Sequence, residues 1–91
     1  MSITSEHIEK SLTILRENGA TRVLLFGGAL ERPESARDLD LACEGIPPEK
    51  FLSVVGQLLD QLPILVDLID LSDDSPFVQY IKRHGKLVYE K

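Results

Sequence analysis

Asp38 and Asp40 alternate with Leu39 and Leu41 in the stretch DLDLAC, residues 38–43. Successive side chains of an extended strand point to opposite faces, so the two carboxylates share one face and the two leucines the other. Like charges that close repel, and one takes up a proton unless a cation stands between them. A hard dication such as Mg²⁺ suits that place, because carboxylate oxygens are its preferred ligands. A third acid, Asp67, sits inside the apolar run ILVDLIDL, residues 64–71. Flanked by Val66 and Leu68, its charge is costly unless something offsets it. If this run pairs beside the first, Asp67 completes a three-carboxylate cluster. Asp70 has the opposite parity and lies nearer the end of the run, which makes Asp67 the preferred member. Two plainer accounts stay open on the residues alone: an Asp-x-Asp on an exposed sheet face, and Asp67 paired with Arg22 or Arg37.

Ahead of the aspartates, the apolar run TRVLLF (21–26) stops at Gly27 and Gly28. A strand that ends in two glycines offers backbone N–H groups with no side chain in the way, and such a turn can cradle phosphate oxygens. A phosphate-binding turn together with carboxylate-held metals is suited to attack on a nucleoside triphosphate. Arg32 and Arg37 flank the site in sequence and can neutralise phosphate, although a solvated loop arginine is the ordinary account of each. Singly, each motif is weak. The order strand, Gly-Gly, loop, Asp-x-Asp, helix, strand with Asp is far more specific.

The elements that must position these groups follow from periodicity and punctuation. Residues 5–18 place Ile8, Leu12 and Leu15 on one helical face, with Ile14 near its edge. Thr4 or Ser5 can cap that helix, and Gly19 can end it in the left-handed conformation. His7 is expected on its exposed, polar side. Residues 29–37 read as a loop around Pro33. Pro48 opens a second long helix to Gln61, with Phe51, Val55, Leu58, Leu59 and Leu62 as its stripe. Ser75 and Pro76 start a short helix that Gly85 stops after His84, and residues 86–90 suit an edge strand. The order α, β, β, α, β, α, β predicts an α/β (α+β) fold. It is a small mixed β-sheet of four strands with helices packed on one face, spanning residues 1–91 as one domain.

Composition narrows the partners. Hydrophobic residues are 43% and charged residues 27%, which favours a packed globular core over disorder. The formal net charge of −5 repels nucleic-acid phosphates, so direct nucleic-acid binding is not expected. No apolar run is long enough to cross a bilayer, and the N-terminal residues do not read as a signal peptide. Cys43 is the one cysteine, so it has no intrachain partner and a reducing, cytoplasmic setting is expected. It reads as a small core residue, since no histidine partner is indicated. An edge strand at 86–90 would allow pairing between copies, so a homo-oligomer is allowed.

The segments LFGG (25–28), DLDLAC (38–43), VDLIDL (66–71) and IKRHGKLVYEK (81–91) resemble a minimal nucleotidyltransferase (MNT) of the DNA polymerase beta superfamily. The resemblance covers nearly the whole chain. It implies two Mg²⁺ ions and transfer of a nucleoside monophosphate from ATP or another NTP. Asp38 and Asp40 would bind both metals, Asp67 would bind the catalytic metal and help activate the nucleophile, and Gly27 and Gly28 would hold the triphosphate. Many such minimal members resemble antitoxins that adenylylate a small helical HEPN toxin, so a HEPN-type partner is implied. The phosphate loop departs from the pattern. Gly28 stands where a serine normally contacts phosphate, no further glycine follows in ALERPE, the loop before Asp38 is shorter than usual, and Arg37 replaces the customary serine. A hydrogen bond to a charged group is worth roughly 1.5–3 kcal/mol, so the change weakens phosphate binding without removing the backbone donors. The alternative reading is a catalytically degenerate protein that acts only by binding its partner.

Overall fold

The structure, a computed structural model, describes residues 3–91. The elements run α1 (Ser5–Glu17), β1 (Arg22–Phe26), α2 (Gly28–Glu31), β2 (Asp38–Glu44), α3 (Pro48–Gln61), β3 (Leu65–Asp70), α4 (Pro76–His84) and β4 (Lys86–Glu90). The strands form one mixed sheet in the order β3-β2-β1-β4, with β1 antiparallel to both β2 and β4 and β2 parallel to β3. A parallel pair needs a crossover between its strands, and α3 supplies it. Residues 86–90 take the edge place expected of them.

Local chemistry explains where the helices start. Thr4 caps α1: the His7 backbone N–H donates to Thr4 Oγ1 at 3.2 Å, and the Thr4 N–H donates to His7 Nδ1 at 3.1 Å. His7 therefore closes a reciprocal cap, a role that its polar neighbourhood in the sequence did not suggest. Gly19 follows the helix with φ 105°, the left-handed geometry expected there. Ser75 Oγ accepts from the Val78 N–H at 3.2 Å and starts α4, with Pro76 in its first turn.

Alternation along the strands builds two layers. Val23, Leu25, Leu39, Leu41, Cys43, Val66 and Leu68 face α1 and α3, where they meet Leu12, Leu15, Val54 and Leu58. Asn18 Nδ2 donates to the Ile14 carbonyl and to Gln57 Oε1, which ties α1 to α3. The stripe of α3 is turned slightly from the expected one. Val54 is fully buried, whereas Leu59 is 49% exposed.

The expected layout, with helices on one face, describes α1 and α3. α4 departs from it. Leu24, Phe26 and Ala42 point to the opposite face and pack with Leu71, Val78 and Ile81 in a cluster of their own. Burying an aliphatic side chain of this size contributes about 1.5–3 kcal/mol, enough for Val78 and Ile81 to hold a nine-residue helix there. Residues 29–37 are not wholly irregular either: α2 occupies the start of that segment, with Ala29 buried in the larger core. No helix among the described residues is long and apolar enough to cross a membrane.

Candidate functional site

The face that α4 covers only in part is the face of the aspartates. Along β2, Leu39 and Leu41 are fully buried on the helical side, while Asp38 is exposed and Asp40 half-buried on the other. In the parallel β2–β3 pair, Asp40 lies opposite Asp67 and Asp38 opposite Leu65. Register thus puts Asp67 on the aspartate face, while Asp70 takes the other parity opposite Cys43. Asp70 ends the strand in a local turn, accepting from the Ser72 N–H at 2.9 Å and the Ser72 hydroxyl at 2.8 Å. Neither Arg22 nor Arg37 neutralises Asp67. Arg22 bridges Glu44 at 3.2 Å at the far end of β2, and this is the one ion pair among the described residues. Arg32 and Arg37 are exposed.

Asp40 is the centre of the arrangement. Burial, the charge of Asp67, a side-chain hydrogen bond with Asp67 and the charge of Asp38 all push its carboxyl above the ordinary value, in that order of weight. Two carboxylates facing each other on neighbouring strands repel, and a cation between them would offset that repulsion. Asp38 reaches Asp40 through charge alone. Among the described residues, no three acidic, histidine or cysteine side chains are drawn together as a ready metal-holding group. The structure therefore pairs Asp40 with Asp67 and leaves Asp38 two residues along the same face. Three carboxylates on one face of the β2–β3 pair are a hard oxygen donor set, the donor chemistry that suits Mg²⁺.

Gly27 makes the close packing possible. Its backbone lies at φ 70° and ψ −151°, a region essentially reserved for glycine, and a Cβ there would overlap the Asp40 carboxylate. Asp40 in turn accepts from the Gly28 backbone N–H, which lowers its pKa and opposes the other influences. The turn is closed by the Gly27 carbonyl, which accepts from the Leu30 and Glu31 N–H groups at 3.1 and 3.0 Å. Gly28 is different. A Cβ at this position would meet only the Ala36 Cβ, at 3.9 Å, so packing does not forbid a side chain. Cys43 is buried, and burial followed by the Asp70 charge pushes its thiol up to about 12, which leaves it no nucleophilic part.

Two neighbours of the site escaped the sequence reading. Phe26 lies opposite Asp40 in the β1–β2 register, and Phe77 of α4 stands edge-to-face against Phe26 with ring centroids 5.8 Å apart. The signal was present as period two, since Phe26 and Leu24 alternate with Leu25 and Val23. That pattern marks a second apolar surface only once α4 is known to cover it. Surface hollows of about 310 and 390 Å³ lie elsewhere, one beside Arg16 and Tyr89 and the other between α1 and β4.

No protein-family model and no curated protein sequence matches the chain. Solved structures do. A crystal structure of the toxin–antitoxin MntA–HepT matches with a TM-score of 0.73 and 22% identity, covering 97% of this chain and 74% of that one. A crystal structure of the toxin–antitoxin with AMP-PNP matches at 0.75 and 22%, covering 98% and 75%. A tri-AMPylated Shewanella oneidensis HEPN toxin in complex with MNT antitoxin matches at 0.74 and 23%, covering 98% and 74%. At these identities the likeness speaks for architecture. The four-stranded mixed sheet and four helices of the described residues share the fold of these structures.

Proposed function

We propose that residues 1–91 form one cytoplasmic, metal-dependent nucleotidyltransferase unit that moves AMP from ATP to a hydroxyl of a small helical HEPN-type protein, as the antitoxin of a toxin–antitoxin pair. The observation that carries this reading is the Asp40–Asp67 pair, in register beneath the Gly27 turn with Asp38 on the same face. The fold neighbours add support: one is bound to AMP-PNP and another contains an AMPylated HEPN toxin.

In the transfer, the acceptor oxygen attacks the α-phosphorus, the bond to the bridging oxygen of the β-phosphate breaks, and pyrophosphate leaves. Two Mg²⁺ ions, when bound, lower the pKa of the attacking hydroxyl and neutralise charge on the leaving group. Asp38, Asp40 and Asp67 would hold them. Asp67, exposed on the open face, orients the acceptor hydroxyl and draws off its proton. The Gly27–Gly28 turn presents backbone donors to the phosphates, and Arg37, at the foot of β2, adds positive charge.

The second reading, a protein that neutralises its partner by binding alone, is favoured by one observation. Gly28 supplies no hydroxyl to a bound phosphate. Incubation with α-³²P-labelled ATP, Mg²⁺ and the small helical product of an adjacent reading frame separates the two. Label on the partner that disappears with Asp38→Asn supports transfer. A stable complex that never acquires label supports binding alone.

A further inference from the structure

We propose that Phe77 is the platform on which the base of a purine nucleoside triphosphate stacks. This rests on the nucleotidyltransferase reading and names what fixes the nucleoside end of its substrate. Phe77 is 51% exposed, although it opens a helix whose next inward residues, Val78 and Ile81, are at most 1% exposed. Core packing therefore does not account for it. The ring is nonetheless fixed, because Phe26 beneath it is only 9% exposed and holds it edge-to-face at 5.8 Å. The Ser75 cap fixes the backbone two residues earlier.

Position gives the platform its ligand. Phe26 is the register partner of Asp40, and partners in an antiparallel pair have Cα atoms roughly 4.5–5.5 Å apart. Phe77 thus stands against Phe26 on the face of the sheet that carries the carboxylate pair. In a nucleotide, the ribose and α-phosphate separate the base from the metal-bound phosphates. A base stacked on Phe77 leaves its triphosphate reaching toward Asp40 and the glycine turn. Tyr80, three residues on and 52% exposed, extends the aromatic surface along the same side of α4, its ring resting on His84 at 4.5 Å. Stacking tolerates any base, and a purine has the larger face to overlap.

The chain contains no tryptophan, so Phe77→Trp introduces a single fluorescent reporter at the platform. With Mg²⁺ present, ATP should quench that fluorescence and inorganic tripolyphosphate should not. Phe77→Ala and Phe77→Leu, checked by thermal melting, should both weaken ATP binding roughly tenfold and leave tripolyphosphate binding unchanged. ATP affinity that survives both substitutions overturns the platform, while the carboxylate site stands if tripolyphosphate still binds. Loss of partner binding with nucleotide binding intact also overturns it, making Phe77 a protein contact. If the unaltered protein binds neither ATP nor tripolyphosphate, the nucleotidyltransferase reading falls first and the platform with it.

Discussion

Restoring a hydroxyl to the phosphate turn is the most informative single change. Gly28 opens α2, its φ is not positive, and the nearest atom to an added Cβ is the Ala36 Cβ at 3.9 Å. Gly28→Ser therefore fits without displacing backbone, and α2 sits next to Asp40 with its first N–H already directed at the site. One hydrogen bond from the new hydroxyl to a charged phosphate oxygen is worth roughly 1.5–3 kcal/mol, which corresponds to about a tenfold to hundredfold gain in ATP affinity. The substitution also narrows the unfolded ensemble, worth about 0.4–1 kcal/mol for a glycine replaced where the native backbone permits it, so the melting temperature should hold or rise. Isothermal titration with Mg-ATP, beside thermal melting, reads both effects. A folded Gly28→Ser protein with unchanged ATP affinity would refute the reasoning, because it would mean the turn does not address phosphate at all.

Three further outcomes follow from the same geometry. Gly27→Ala forces a side chain into a glycine-only backbone region and onto Asp40, so it should destabilise by about 1–3 kcal/mol or more in urea titration and abolish Mg²⁺ binding. In EDTA, the raised carboxyl of Asp40 keeps a proton in the folded state at pH values where the unfolded chain has lost it. Its contribution to stability is thus full below about 3.8, the ordinary Asp value, and is lost as pH rises through the raised folded value. Unfolding midpoints of the wild type relative to Asp40→Asn should fall across that window, and added Mg²⁺ should reverse the loss at neutral pH. Cys43, buried with its thiol pushed up to about 12, should react with iodoacetamide at pH 8 only after denaturation, as mass spectrometry of alkylated protein will show.

Much of the architecture was legible because local and long-range signals agreed. The Pro48–Gln61 helix and the Lys86–Glu90 strand have the bounds that their punctuation marks. Parity along DLDLAC and ILVDLIDL placed Asp38, Asp40 and Asp67 on a common face once β2 and β3 proved to be parallel neighbours. Three features were not legible, each for a stated reason. The four residues of α2 are too short for helical periodicity to emerge, and their polar surroundings masked them. The placement of α4 depends on Leu24, Phe26 and Ala42, whose burial on the second face is a tertiary fact. The aromatic pair beside Asp40 joins residues far apart in the chain, Phe26 and Phe77, and no local pattern connects them.

Anomalous diffraction from crystals grown with Mn²⁺ and a non-hydrolysable ATP analogue bears most directly on the carboxylate site. The arrangement on β2 and β3 predicts metal peaks ligated by oxygens of Asp38, Asp40 and Asp67, with the triphosphate against the Gly27–Gly28 turn. Nucleotide bound without metal at these three side chains, or metal seated away from them, would contradict it.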